Sequence, residues 1–236
     1  MIDWQATQVE GLGQAHTEAD LYKVLARAAS DLGFDYFAYG MRMPLPLSNP
    51  KLFLLNNYPA EWQQRYAQEN YLAVDPTVAH GMRSVAPVVW SQPTNADSQT
   101  FWDDARGHGL KVGWAQSSFN AQGSVGMLTL ARSGDELSQA ELRENSMCMS
   151  WLVHAAHEAV TRIVSTPDDP ERRVALTARE IEVLRWTADG KTSGEVGQIM
   201  DISERTVNFH INNSLEKLNA NNKTAGVIKA AMRRLL

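Results

Sequence analysis

Apolar residues recur at helical spacing in EADLYKVLARAASDLGF and in QAELRENSMCMSWLVHAAHEAVTRI, and each stretch predicts an amphipathic helix. Between them lie the shorter apolar runs YFAYGMR, KLFLLNN, APVVW, WAQSSF and GMLTLAR, which have the length and composition of strands. Strands interleaved with flanking helices predict an α+β domain, an antiparallel sheet covered by helices. Beyond residue 173 every apolar pattern is helical. STPDDPERR, residues 165–173, combines two prolines with a run of charges and has linker composition. The organisation expected is therefore an α+β domain over residues 1–164, a linker over 165–173 and an all-α unit over 174–236.

The tail announces its own helix starts. Thr177 with Glu180, and Thr192 with Glu195, have capping-box spacing, which sets a hydroxyl and a carboxylate on the unpaired amides of a first turn. The first helix turns Ile181, Leu184 and Ala188 inward and stops at Gly190; the second turns Val196, Ile199 and Met200 inward and stops at Asp201. Ser203 is placed to cap a third helix, in which Val207, Ile211, Leu215 and Leu218 repeat at helical spacing. Ala225, Ile228, Met232 and Leu235 form the buried stripe of a fourth. The result is a four-helix unit containing a helix-turn-helix.

With Val207 and Ile211 inward, Asn208 and Asn212 fall on the other face of the third helix, with Arg205 and Phe209 beside them. An asparagine can bond adenine bidentately and an aromatic ring can meet a thymine methyl, so such a face can read bases without dense positive charge. Arg205, Lys191, Lys217 and Lys223 would hold phosphates. The same face also reads as an ordinary solvated surface.

Charge alters this picture only slightly. The chain has 236 residues and a net charge of -5, yet residues 174–236 carry nine Lys/Arg against seven Asp/Glu, a mildly basic tail on an acidic body. The chain has no run of eighteen apolar residues, and MIDWQATQVEGLG does not have the form of a secretory signal, which sets the expectation of a cytoplasmic protein with no membrane partner. The single cysteine, Cys148, lies among Met147, Met149 and Trp151 and reads as a packing residue. His154 and His157 share a helix face but have no third ligand near in sequence, and His80, His108 and Cys148 make no recognisable triad. Neither a metal nor a cofactor is expected, nor an enzyme.

The stretch LTAREIEVLRWTADGKTSGEVGQIMDISERTVNFHINNSLEKLNANNKT resembles the DNA-binding domain of LuxR-type transcription factors, with Glu180, Leu184 and Gly190 at characteristic positions. That domain also ends phosphorylation-dependent regulators, but the acidic pair, phospho-acceptor Asp and Lys of a receiver domain are not arranged in the N-terminal half. What stands there is NNYPAEWQQRYAQENYLAVDPTVAHG followed by PVVW. Trp62 and Tyr66 are one helical turn apart, and Asp75 precedes Pro76. Indole and phenol donors around one carboxylate suit an apolar pocket with a few fixed polar contacts. They equally suit an aromatic core, with Asp75 as an N-cap and Pro76 at the first helical position.

This segment resembles the autoinducer-binding domain of LuxR-type receptors, whose ligands are N-acyl-homoserine lactones. The resemblance implies that Trp62 donates to the lactone carbonyl, Tyr58 donates to the amide carbonyl and Asp75 accepts the amide N–H. It places Trp90, Phe101 and Ala105 around the lactone ring, Tyr66 over the pocket and Thr129 as a second contact to the acyl amide. Gly113 matches a characteristic glycine, whereas Ser117 stands where many members have proline. Arg42, Met41, Leu54, Val78, Met127 and Leu128 are the candidate lining of the acyl channel. WTADGKTSGE and SFNAQG are most like pseudomonad regulators. The partners implied are a homodimer formed through the helix from Gln139 to Val164, double-stranded promoter DNA with a two-fold symmetric site, and RNA polymerase. The function implied is regulation of transcription in quorum sensing; activation is the family's commoner outcome, and a repressor would carry the same motifs. A non-lactone signal, a protein partner or ligand independence is the alternative, and a lactone-degrading enzyme the more distant one.

Overall fold

The computed structural model describes residues 2–91, 98–121, 123–164 and 175–236. The chain divides into two compact units, Met1–Asn120 with Ser124–Ser165, and Ala121–Gly123 with Thr166–Leu236. The linker expected over 165–173, and Val174 after it, lie outside the described residues.

The first unit is the predicted α+β domain. Helices α1 (Ile2–Gln14) and α2 (Glu18–Asp31) precede strands β1 (Tyr36–Arg42) and β2 (Leu52–Asn56). Then come α3 (Ala60–Gln68), a single 3-10 turn (Tyr71–Ala73), α4 (Pro76–Gly81), β3 (Val88–Trp90) and α5 (Gln99–Gly107). Strands β4 (Val112–Phe119) and β5 (Val125–Arg132) and the long helix α6 (Gln139–Val164) complete it. All five strands pair antiparallel, in the order β2-β1-β5-β4-β3.

Alternation along the strands sorts side chains between two layers. Phe37, Tyr39 and Met41 of β1, Trp114 of β4, and Leu128 and Leu130 of β5 face a core shared with Leu21 and Leu25 of α2 and Leu152 and Val153 of α6. Each such leucine, fully withdrawn from water, contributes about 2 kcal/mol. Cys148 and Met149 pack into this core, whereas Met147 is exposed. The two histidines of α6 act as struts to the sheet. His157 Nδ1 bonds the Tyr39 hydroxyl at 2.6 Å, and His154 Nδ1 bonds the Ser118 hydroxyl at 2.9 Å. Burial disfavours the imidazolium of His157 and lowers its pKa.

Met41 and Leu128 therefore do not line the acyl channel expected of them: they belong to the core with α2 and α6. Strand parity is the reason. Their neighbours Gly40 and Arg42 on β1, and Met127 and Thr129 on β5, face the opposite layer, where α3, α4 and α5 lie.

The second unit contains α7 (Ala178–Ala188), α8 (Ser193–Met200), α9 (Glu204–Lys217) and α10 (Lys223–Met232). Both capping boxes form, Ser203 caps α9 through the Thr206 amide, and Asn222 caps α10 through the Ala225 amide. Val183, Val196, Met200, Val207 and Ile211 make the core of the helix-turn-helix. Ala188 and Ile199, expected inward, are exposed; Val183 and Gly197 face inward instead. In α10 the buried residues are Gly226 and Ala230, with Ala225, Ile228 and Met232 half-buried, as is Leu235 beyond its end. The turn between α8 and α9 is tight. Asp201 adopts φ 54, and a Cβ on Gly197 would lie 2.8 Å from the Ile202 carbonyl oxygen, so only glycine fits beneath the turn.

Candidate functional site

Two groups of residues carry the chemistry, one in each unit. In the first, α3 begins after Pro59 and turns Trp62 and Tyr66 to the same side, ring centroids 5.6 Å apart. Trp62 is buried against Tyr71 (5.7 Å), Phe101 (5.9 Å) and His108 (5.5 Å). Trp90, Trp102, Ala105, Leu110 and Ala131 complete the cluster, with Tyr36, Tyr58 and Tyr66 packed on its margin. Six of the eight expected ligand residues, Tyr58, Trp62, Tyr66, Trp90, Phe101 and Ala105, thus gather in one aromatic cluster.

Asp75 joins them through its second oxygen. Oδ1 caps α4, accepting from the Thr77 amide at 2.8 Å and the Thr77 hydroxyl at 2.7 Å, while Oδ2 accepts from the Tyr66 hydroxyl at 3.0 Å. The two readings of this residue divide between its two oxygens: one holds a helix start, the other faces the aromatic group. Burial pushes the Asp75 carboxyl above its usual range against the opposing bonds from Thr77 and Tyr66. Burial, with the Asp75 charge nearby, also drives the Tyr58 and Tyr66 phenols well up, which keeps both as neutral donors. Thr129 is buried on β5 opposite Ala38 and Ala115, two residues along the same sheet face from Ala131 of the cluster.

Of the remaining channel residues, Leu54 is exposed on β2 opposite Gly40, Arg42 ends β1, Val78 is on α4, and Met127 packs on Gly81 of α4. Ser117 replaces the expected proline with a tie. Its one hydroxyl proton is shared between the carbonyls of Gly81 (2.8 Å) and Ser84 (2.6 Å), fastening the end of α4 to β4. The sequence reading missed Tyr71, Thr77 and Trp102. Thr77 was signalled by the Asp-Pro-Thr cap, and Tyr71 is held by its hydroxyl on Asp104, which also accepts from Arg65 of α3 at 2.8 Å.

In the second unit α9 presents Arg205, Phe209 and Asn212 outward, with Phe209 60% exposed. Asn208, one turn before Asn212, lies at the edge of that face. It is half-buried at the flank, where its Oδ1 accepts from the Ser193 hydroxyl at 2.8 Å, and Ser193 in turn accepts from the Lys223 ammonium at 2.7 Å. Oδ1 keeps a second lone pair and Nδ2 its donors, so the tie to Ser193 holds Asn208 in place without removing its capacity to pair with a base. Lys217, exposed at the end of α9, pairs with buried Glu180: its ammonium lies 2.7 and 2.9 Å from the two carboxylate oxygens. Lys191 remains exposed.

One unit thus holds an aromatic cluster beside a buried carboxylate, and the other a helix-turn-helix with an outward helix. The family comparison is specific. Residues 17–160 match the autoinducer binding domain, and residues 174–230 match the luxR family of bacterial regulatory proteins. The chain belongs to the LuxR family of quorum-sensing, DNA-binding transcriptional regulators, a regulatory family and not a catalytic one. It is 48% identical to the transcriptional activator protein AnoR of Acinetobacter nosocomialis over the whole of both chains, and 47% identical to SolR of Ralstonia solanacearum over 92% of each. The crystal structure of Escherichia coli SdiA superposes with a TM-score of 0.80 at 33% identity, covering 99% of this chain and 98% of that one. The expected pseudomonad likeness is weaker than these first two: PhzR of Pseudomonas fluorescens is 38% identical.

Proposed function

We propose that the protein is a receptor for an N-acyl-homoserine lactone that binds promoter DNA as a homodimer through α6 and activates transcription. The observation that carries the reading is the buried Asp75, whose Oδ2 faces an aromatic cluster of indole and phenol groups. A ligand amide N–H bonded to this oxygen would satisfy a carboxylate that burial otherwise penalises. Tyr58 and Trp62 supply donors for the ligand's two carbonyls, Trp90, Phe101 and Ala105 pack its ring, Tyr66 covers it, and Thr129 is a second contact to the acyl amide. Arg42, Leu54, Val78 and Met127 border the acyl chain.

On DNA, Arg205, Phe209 and Asn212 enter the major groove, Asn208 contributes donors from the flank and Lys191 holds phosphate. A dimer doubles these contacts and sets two helices against half-sites related by a two-fold axis. AnoR and SolR, both named transcriptional activators, support the sign of regulation, and RNA polymerase is the partner an activator meets. The chain itself spans 1–164 as receptor, 165–173 as linker and 174–236 as reader. A structure of SdiA is in complex with octanoyl-rac-glycerol, which favours as second reading an acylated polar head other than a lactone.

The test is anisotropy on a duplex selected from a random pool, with and without lactone. Lactone should raise affinity for the selected duplex. Asn212→Ala should weaken it by about tenfold, the value of one good base contact, while leaving binding to an unselected duplex within about twofold. Equal losses on both duplexes would remove Asn212 from base reading.

A further inference from the structure

A chain of two hydrogen bonds crosses three helices of the second unit and ends on α9. The Lys223 ammonium, at the start of α10, donates to the Ser193 hydroxyl of α8 at 2.7 Å, and that hydroxyl donates to Asn208 Oδ1 at 2.8 Å. The lysine fixes the direction of the chain. An ammonium can only donate, so Ser193 accepts from it, and the single proton of the hydroxyl is left for Asn208. Asn208 must therefore meet Ser193 with an acceptor, its carbonyl oxygen and not its amide nitrogen.

Neither Ser193 nor Lys223 is needed where it stands by its own helix. Thr192 holds the start of α8 by accepting from the Glu195 amide, and the Ser193 hydroxyl takes no part in that capping box although the residue is only 7% exposed. Asn222 caps α10 through the Ala225 amide, whereas Lys223 in the first turn sets a positive charge at the positive end of the helix dipole. The polar groups of both serve Asn208 instead.

An asparagine amide is nearly symmetric in shape and opposite in chemistry at its two ends. Turned over, it exchanges acceptor for donor, and a base edge with one acceptor and one donor, such as that of adenine, fits one orientation only. We propose that Ser193 and Lys223 are positioning residues for base reading: Lys223 orients the Ser193 hydroxyl, and Ser193 locks the Asn208 amide with Oδ1 toward α8. Without the lysine, the hydroxyl can accept from Nδ2 and the amide can turn over, which relaxes the choice of base. This rests on the reading of α9 as the helix that meets base edges and deepens it, because the discrimination then depends on residues of α8 and α10.

Anisotropy of the full chain on the selected duplex, and on a set in which each base pair is replaced in turn, tests this. Replacement of the pair that Asn208 reads should cost the wild type about tenfold, the value of one good base contact, and cost Asn208→Ala nothing. Ser193→Ala removes neither a charge nor a cap. It should reduce the cost at that pair about fivefold, as expected for the loss of one hydrogen bond, leave the costs at other pairs unchanged, and add nothing to Asn208→Ala. Lys223→Met should flatten the same pair; its lost charge weakens binding to every duplex alike, so the ratio within the set reads its role, and it carries the comparison if Ser193→Ala does not fold. An unchanged cost at the Asn208 pair, or a uniform loss across the set that marks Lys223 as a phosphate contact only, would overturn the inference. If Asn208→Ala silences no pair, the inference also falls and α9 reads through Arg205, Phe209 and Asn212. A wild type indifferent to every replacement would overturn the reading of α9 as well.

Discussion

Gly113→Ala is expected to destabilise the first unit by about 3 kcal/mol, at the upper end of the usual overpacking cost. The added methyl would sit 2.3 Å from Trp90 Cζ2 and 2.5 Å from the Leu130 carbonyl oxygen. The indole can tilt away, but the carbonyl belongs to the β4–β5 ladder and cannot retreat without breaking the pairing around Gly113 and Ala131. Trp90 therefore rises from the sheet and carries the packing of Trp102 and Phe101 with it, while the contact with the carbonyl stays as strain in the ladder. Gly107→Ala is the matched control. A Cβ there meets nothing within 4 Å at the end of α5, so it should be neutral or slightly stabilising. Urea unfolding of both variants separates the two effects, and a loss below about 1 kcal/mol for Gly113→Ala would show that the cluster accommodates the methyl.

Lys217→Ala is expected to destabilise the second unit by about 2 kcal/mol. Removing one partner of a buried ion pair commonly costs about 3–5 kcal/mol, and the figure is reduced here because the Lys217 side chain is 38% exposed and partly screened. Glu180 is 4% exposed at its side chain. Burial pushes its pKa up, but the bonds from Lys217 and Thr177 outweigh burial and hold it below its ordinary 4.5. A carboxylate with a lowered folded pKa contributes stability above its unfolded pKa, and that stability is lost as pH falls through the folded value. The difference between wild type and variant should accordingly be full at neutral pH and shrink in acid. Hydrogen exchange of the α7 and α9 amides in the full chain reads it locally. Equal protection at neutral pH, or a difference that persists in acid, would contradict this role.

The elements whose signals are local were legible in the residues. The apolar run YFAYGMR corresponds to β1, and Thr177, Thr192 and Ser203 cap the helices their spacing announces. Aromatics at helical spacing in α3 gathered as a cluster for the same reason. What escaped depends on long-range placement. Met41 and Leu128 are apolar strand residues whose face is set by pairing parity, which sequence alone does not declare. Tyr71 meets Trp62, and Trp102 meets Trp90, only because the turn before α4 folds onto α3 and α5 folds beside β3. Lys217 finds Glu180 across 37 residues, and Asn208 is drawn to the flank by Ser193 and Lys223 from two other helices. A wheel drawn on α9 alone contains neither partner.

The most direct measurement is thermal unfolding of the full chain, wild type and Asp75→Ala, with N-acyl-homoserine lactones that differ in chain length and 3-position oxidation, and with octanoyl-glycerol alongside. A ligand bound only by the folded form adds about 2.7 kcal/mol at a hundredfold excess over its dissociation constant. The account predicts a midpoint that rises in wild type with the lactone whose chain fits and does not rise in Asp75→Ala. No rise with any lactone, or the same rise in the variant, would contradict it.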